Sequence, residues 1–250
     1  MASSDAFVAL VRAGGEVPDR FQVLGERNSG TNFVRAIMKR NLALSPTDLL
    51  GWKHGFPHML AVPERMLVVA VVRDAFEWSR SMHDKPWHAT AAMQQLAYSD
   101  FIRAPWDSVV DRHNYFGLAK SDARIGAPLQ HDRHPLTGAG FGNIFKMRNA
   151  KVAALLGMAH RGCHFAMVRF ETVRDDPEGV VAQMAAAFGL DRPDQFSQVR
   201  RRLGARFAAR VEDRPVPPGE IGPADRAFIL RTLDRVQESR LGYEFSGGLV

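Results

Sequence analysis

The stretch from Phe21 to Phe33, FQVLGERNSGTNF, begins mostly apolar, becomes polar in its middle and leads into a segment with helical spacing of apolar residues. Gly25 and Gly30 bracket its polar middle, where glycine allows the tight backbone turns that a short loop needs. The residues before the loop are mostly apolar, as in a short buried strand, and apolar side chains recur at helical spacing after it, at Val34, Ile37, Met38 and Leu42. The pattern therefore predicts a strand, a loop that binds an anion at the positive end of a helix, and that helix.

The spacing of this loop, G-x-x-x-x-G-T, nearly matches the phosphate-binding loop of nucleoside triphosphatases. Thr31 stands where that motif has its lysine. The loop therefore predicts binding of phosphate or sulfate without predicting triphosphate hydrolysis, and a purely structural turn is the alternative interpretation.

Basic side chains end two further apolar segments. The run from Met66 to Val72, MLVVAVV, is typical of a strand buried on both faces of a parallel sheet, and Arg73 follows it. The segment 48–55, DLLGWKHG, indicates a short apolar element that ends in Lys53 and His54. Because ligands bind beyond the carboxyl ends of parallel strands, we expect these groups and the loop to converge on one crevice.

The rest of the chain alternates strand-like and helix-like segments, which favours an α/β fold with a central, mostly parallel sheet flanked by helices. We expect a single domain over residues 1–250, with residues 1–19 as an N-terminal extension. Residues 120–142 are rich in Gly, Pro, His and Asp and have no periodicity, which predicts a long surface loop.

The formal net charge of +6 favours anionic ligands, but it does not choose between nucleic acid, phosphorylated metabolites and acidic glycans. The densest basic run, 192–214, has few interleaved aromatic residues. A solvated helical face is therefore the prediction for it, rather than a platform on which single-stranded nucleic acid stacks. No nucleic-acid partner is predicted.

Single-copy Cys163 excludes an internal disulfide and is consistent with a reducing compartment. The N-terminus has no basic start and too short an apolar stretch for a signal peptide. The longest apolar run, Met66 to Val72, is far shorter than a membrane span. These features predict a soluble cytoplasmic protein without a membrane span.

Together the motifs resemble sulfotransferases that use 3′-phosphoadenosine 5′-phosphosulfate (PAPS). In that family a K-S-G-T core after the first strand holds the 5′-phosphosulfate, and N-S-G-T occupies it here at 28–31. Arg73 and Ser81 have the eight-residue spacing of the family's 3′-phosphate signature. The WKHG of 52–55 resembles the basic strand end that carries a catalytic histidine, and VRFETVRDDPEGVV resembles a later strand, Glu-containing turn and helix.

The resemblance implies a P-loop-like architecture and direct in-line transfer of a sulfuryl group from PAPS, with no metal required. The acceptor would be a hydroxyl or amine of a small molecule or glycan. His54 would be the general base, with His58 and His83 as alternatives, and Lys53 would stabilise the transferred sulfate or the leaving phosphate. The residues expected to hold the nucleotide are Arg27, Asn28, Ser29, Gly30, Thr31, Asn32, Arg73 and Ser81.

Two departures from the family pattern leave questions open. Asn28 stands where the family has its loop lysine, so either Arg27 or Lys53 must supply the cation. The glycine-rich basic segment that closes over the 3′-phosphate in many members is not recognisable near the C-terminus. The arginine run at 200–210, or Arg148 in FKMRN, could substitute for it. Candidates to line an acceptor pocket are Trp78, Trp87, His88 and Trp106.

Two other functions fit part of the pattern. A nucleotide-dependent kinase or phosphatase of phosphate-loop architecture would depend on magnesium. A non-catalytic basic module would bind acidic polymers in a salt-sensitive way. A zinc site at His131 and His134 is disfavoured because the chain offers no second ligand pair. The acceptor and the oligomeric state stay open.

Overall fold

The computed structural model describes residues 6–200, 203 and 206–245. These residues fall into two compact units. The first lies within Met1–Asp74, Val152–Ala205 and Val236–Glu244, and the second lies within Ala75–Lys151, Arg206–Arg235 and Phe245–Val250. The organisation of 1–250 as a single domain stays a prediction.

A five-stranded sheet forms the centre of the first unit, in the order β1-β5-β4-β2-β3. Strands β2, β3, β4 and β5 run parallel to their neighbours, and β1 is antiparallel to β5 at one edge. The strands are β1 (Phe7–Val11), β2 (Arg20–Gly25), β3 (Ser45–Pro46), β4 (Met66–Val72) and β5 (His164–Arg169). The predicted α/β class with a mostly parallel sheet is confirmed, and the stretch 1–19, expected to be an extension, contributes the edge strand β1.

Helices lie between and after these strands along the chain. They are α1 (Thr31–Asn41), α2 (Ala75–Asp84), α3 (Ala91–Gln94), α4 (Tyr98–Arg103), α5 (Ile144–Leu156), α6 (Phe170–Asp175), α7 (Pro177–Phe188), α8 (Pro223–Thr232) and α9 (Arg235–Arg240), with short 3₁₀ turns at His113–Tyr115, Gln130–Asp132 and Gly157–His160. No helix in the described part of the chain is long and apolar enough to cross a membrane.

Strand β4 is the centre of the core, because every one of its side chains is fully buried. Alternate side chains of a strand point to opposite faces of the sheet. On one face, Leu67, Val69 and Val71 join a cluster with residues of α1 and α7. On the other, Met66, Val68, Ala70 and Val72 join a cluster with Val152 and Leu155 of α5. Burial on both faces is what the unbroken apolar run predicts.

Within the second unit, a buried carboxylate anchors the segment 120–142. The Nζ atom of Lys151 lies 2.7 Å from Asp132 Oδ1, and both side chains are buried. The other oxygen of Asp132 accepts hydrogen bonds from Trp106 Nε1 at 2.9 Å and Ser108 Oγ at 2.7 Å. The segment has no α-helix or strand of its own, as expected of a loop, but this carboxylate anchors it internally.

The prediction of a helical face for the arginine run was wrong for the residues that the structure describes, which form no helix between 192 and 214. Arg214 instead donates hydrogen bonds to the backbone carbonyls of His83 and Asp84, and the N–H of Arg210 donates to Gln94 Oε1. This segment therefore forms hydrogen bonds with residues that are distant in the sequence, instead of the hydrogen bonds within a helix that the prediction implied. Arg201 and Arg202 lie outside the described residues.

Gly30 offers a test of the packing behind the loop. Gly30 and Gly51 both have left-handed backbones, with φ of +89° and +88°. A Cβ atom at Gly30 would lie 2.1 Å from the ring of Phe170, whereas one at Gly51 would meet nothing within 4 Å. We expect Gly51→Ala to cost about 1 kcal/mol of strain and Gly30→Ala to cost roughly 1–3 kcal/mol more, because the ring must move. Urea denaturation midpoints measure both, and equal losses would contradict the packing.

Candidate functional site

The loop between β2 and α1 is short and closed by its own side chains. It leaves the sheet at Gly25, where an added Cβ atom would lie 2.5 Å from the carbonyl oxygen of Val71 on the neighbouring strand. Buried Ser29 donates a hydrogen bond from Oγ to the carbonyl of Glu26, at 2.7 Å. Asn28 is left-handed, with φ of 62°, a conformation that asparagine adopts more readily than most residues. The predicted order of strand, loop and helix is confirmed.

Segment 48–55 reaches the loop without forming a strand. Buried Gln22 of β2 holds it by donating from Nε2 to the carbonyl of Gly51 at 2.8 Å and by accepting from the N–H of Leu50 at 2.7 Å. Further on, the N–H of Gly25 donates to the carbonyl of Lys53 at 2.9 Å. The side-chain amide of Gln22 therefore makes the hydrogen bonds that a neighbouring strand would otherwise make. This contact places the following residues, Lys53 and His54, at the end of β2.

His54 is held by the backbone of the same glycine. Its Nδ1 atom lies 2.7 Å from the carbonyl oxygen of Gly25. A carbonyl can only accept a hydrogen bond, so Nδ1 carries the proton. In the neutral ring the lone pair is then on Nε2, which is the atom that can take up a proton. Trp52 packs edge-to-face on the ring, with centroids 5.4 Å apart, and this contact further restricts its orientation.

Lys53 lies at the beginning of α1. Its Nζ atom is 2.5 Å from Oδ1 of Asn32, in the first turn of that helix. Burial, together with the nearby charge of Arg35, lowers the pKa of Lys53 to about 8, against the opposing effect of Asp48. The cation thus lies beside a helix N-terminus in partly desolvated surroundings, where an anion would interact with it strongly.

Arg73 follows β4, which lies between β2 and β5 in the sheet. Its position lets it contact structure from both neighbours. The Nη1 atom donates to the carbonyl of Asn28 in the loop at 3.2 Å, and the guanidinium carbon lies 5.2 Å from the ring centroid of Phe170, directly after β5. The structure therefore brings Arg73 to the loop, as expected of neighbouring parallel strands.

The other residues expected to hold the nucleotide are more scattered. Arg27 is buried, and its guanidinium carbon lies 5.6 Å from the centroid of the Trp52 ring. Ser81 lies on α2 in the second unit and is partly exposed, and the role assigned to it stays a prediction from its spacing. Arg148, weighed as a cation over the 3′-phosphate, is fully buried with its guanidinium carbon 5.3 Å from the Trp78 ring centroid.

The alternative bases differ in their surroundings. His58 is exposed. His83 is buried, and burial lowers its pKa despite a hydrogen bond from Nε2 to the carbonyl of Leu96 at 2.9 Å. With Nε2 donating, the lone pair of His83 is on Nδ1, which is enclosed in the second unit and has no hydrogen-bond partner among the residues that the structure describes. His83 is thus a neutral core histidine.

His88, a candidate for an acceptor pocket, forms a buried pair in the second unit. Its Nδ1 atom lies 2.6 Å from Asp111 Oδ1. Burial acts to raise the pKa of Asp111, but the hydrogen bond and charge of His88, with the charges of Arg112 and Arg210, bring it below the usual value. Trp78 and Trp106 are also buried.

No group of three or more His, Cys, Asp or Glu side chains that could hold a metal ion occurs among residues 6–200, 203 and 206–245.

Sequence reasoning missed the part played by Phe170. Its ring lies against Gly30, contacts Phe33 edge-to-face with centroids 6.1 Å apart, and lies beside Arg73. The available signal was an aromatic residue directly after a buried, strand-like run. That strand, β5, pairs with β4, which Arg73 follows. Phe170 therefore forms one wall of the arrangement.

Comparison of the chain with protein-family models, with characterised proteins and with solved structures finds no match. The arrangement of the site is therefore the basis for inferring a function.

The lowered pKa of Lys53 can be measured by competitive acetylation with acetic anhydride, because only the neutral amine reacts. We expect labelling of Lys53 to rise with a midpoint near pH 8, since burial disfavours the charged form. Lys53→Arg should remove that labelled peptide and identifies it. A midpoint near the ordinary value of 10.5 would show that the amine is fully solvated.

Proposed function

We propose that this protein is a PAPS-dependent sulfotransferase with the P-loop-like architecture of that family. The observation that carries the proposal is the convergence of a base and two cations on one glycine-bracketed loop. His54 is bound to Gly25, Lys53 to Asn32 and Arg73 to Asn28, so all three lie at the carboxyl-terminal edge of the parallel strands.

The two cations suit a ligand with two anionic groups. Lys53 contacts Asn32 in the first turn of α1, and Arg73 contacts Asn28 in the loop, four positions earlier. PAPS carries a 5′-phosphosulfate and a 3′-phosphate. In the proposed complex the N–H groups at the start of α1, with Ser29 and Thr31, hold the 5′ end, and Arg73 binds the 3′-phosphate.

Lys53 rather than Arg27 supplies the cation that the loop lacks at Asn28. Arg27 is only 3% exposed and its guanidinium lies over the ring of Trp52, whereas Lys53 is partly exposed at the helix start. With a pKa of about 8, Lys53 is mainly charged at neutral pH and loses its charge above that value. It can therefore stabilise the negative charge that develops on the sulfate or the leaving phosphate.

The reaction is a direct in-line displacement at sulfur. The acceptor oxygen or nitrogen forms a bond to sulfur as the bond from sulfur to the 5′-phosphate oxygen breaks, which releases adenosine 3′,5′-bisphosphate. Nε2 of His54 takes the proton of the acceptor, because Nδ1 already donates to Gly25. A hydroxyl or amine of a small molecule or glycan fits this chemistry.

Binding of adenosine 3′,5′-bisphosphate, measured calorimetrically, tests the nucleotide site. We expect Arg73→Ala to weaken binding by about tenfold or more, because a charge-assisted hydrogen bond is worth roughly 1.5–3 kcal/mol. Arg65→Ala is the matched control, since Arg65 precedes the same strand at its opposite end and pairs with Asp19 at 3.4 Å.

Three results would contradict the proposed function. Absence of binding to the wild-type protein removes the nucleotide site. Magnesium-dependent turnover of ATP without any response to PAPS supports a kinase or phosphatase. Salt-sensitive binding of an acidic polymer that is insensitive to changes in the loop supports a basic binding module.

His54→Asn separates the base from the structural hydrogen bond. The asparagine amide can still donate to the carbonyl of Gly25, but it has no atom that acts as a base in the place of Nε2. We expect transfer of labelled sulfate from PAPS to a panel of phenols, amines and sugars to fall by about 10²–10⁴-fold, with affinity for the bisphosphate kept. His58→Ala, at an exposed position, is the control. Full activity of His54→Asn would show that another group is the base.

A further inference from the structure

The segment after α9 is hydrogen-bonded to the last residue of β5 and to helix α6, which follows that strand. The hydroxyl of Tyr243 donates to Glu171 Oε2 at 2.8 Å, and Arg169 Nη1 donates to the carbonyl of Gly242 at 3.2 Å. Leu241 is buried in the core cluster beneath the sheet, and Tyr243 packs against that cluster. We call residues 241–243 the C-terminal latch.

The same carboxylate reaches the strand end that carries the proposed phosphate ligand. Glu171 Oε1 accepts a hydrogen bond from the backbone N–H of Asp74 at 3.0 Å. Asp74 directly follows Arg73. The carboxylate of Glu171 therefore binds the latch with Oε2 and the backbone N–H of Asp74, the residue after Arg73, with Oε1.

Phe170 provides a second connection from the same turn. Its ring lies beside the guanidinium of Arg73 and fills the space that a side chain at Gly30 would need. Phe170 and Glu171 are adjacent, so movement of Glu171 changes both the ring and the N–H contact. In this position Nη1 of Arg73 donates to the carbonyl of Asn28 at 3.2 Å, so a change in either contact would act on the orientation of Arg73.

We propose that Glu171 and Tyr243 are positioning residues of the anion site, which act on the ligand through Arg73. The inference rests on the proposed function for the identity of the ligand. It adds that the C-terminal latch sets the affinity for the 3′-phosphate without touching it. Both oxygens of Glu171 accept hydrogen bonds, so its role is to hold Asp74 and Tyr243 in place.

The test is calorimetric binding of adenosine 3′,5′-bisphosphate to Tyr243→Phe, Glu171→Ala and Glu171→Gln. Loss of one neutral hydrogen bond predicts about 2–10-fold weaker binding for Tyr243→Phe, and Glu171→Ala should lose more. Glu171→Gln should recover much of the loss, because its carbonyl can accept from Asp74 while its amide donates to the tyrosine oxygen. Tyr115→Phe, in the second unit, is the control.

Combination with Arg73→Ala separates positioning from a general effect on folding. If the latch acts through Arg73, Tyr243→Phe should have no further effect on binding in the Arg73→Ala background. Hydrogen exchange at the amide of Asp74 should also become faster in Glu171→Ala without any ligand, since that amide loses its acceptor.

The outcomes separate the two proposals. Absence of binding to the wild-type protein overturns the nucleotide site, and the positioning role with it. Tight binding by the wild-type protein with unchanged affinity in both Tyr243→Phe and Glu171→Ala overturns the positioning role alone. Additive losses with Arg73→Ala overturn it as well, as does tighter binding by both Glu171→Ala and Glu171→Gln, which would make the charge of Glu171 the cause.

Discussion

The backbone of Gly25 is the point on which the whole candidate site depends. Its N–H donates to the carbonyl of Lys53, its carbonyl accepts from His54, and its Cα lies too close to Val71 to bear a side chain. One residue therefore ends the strand, starts the loop, and holds the segment that carries Lys53 and His54. Any larger residue there would separate β2 from β4, and with it Arg73 from the loop.

The missing lysine of the loop has a local explanation in this geometry. Asn28 is left-handed, and asparagine adopts that conformation at lower cost than residues without a short polar side chain. The tight turn places the carbonyl of Asn28 where it accepts a hydrogen bond from Arg73. In the function that we propose, the neighbouring segment supplies the cation through Lys53, whose Nζ atom contacts Asn32. A cation supplied in this way is partly buried, which is why its pKa falls to about 8.

Sequence patterns could predict the elements whose signal is periodic or local. The run at Met66–Val72 contains only apolar residues, which is the pattern of a strand that is buried on both faces. The glycines at 25 and 30 mark the ends of the loop. Single long-range hydrogen bonds have no such signature. The amide of Gln22 that replaces a strand ladder at 48–55, and the carboxylate of Glu171 that joins two distant segments, follow only from the fold. The arginine run was misread for the same reason, because its partners lie more than a hundred residues away.

The positive charge of the chain is a poor guide to its ligand, because structural contacts already engage several of its arginines. Arg214 binds the last carbonyls of α2, where the helix dipole favours a cation. Arg148 is buried against Trp78, and Arg112 lies over the ring of Trp87. Such residues raise the net charge while their guanidinium groups already contact parts of the same chain. The case for an anionic ligand therefore rests on the positions of Lys53 and Arg73 beside the loop, and not on the number of basic residues in the chain.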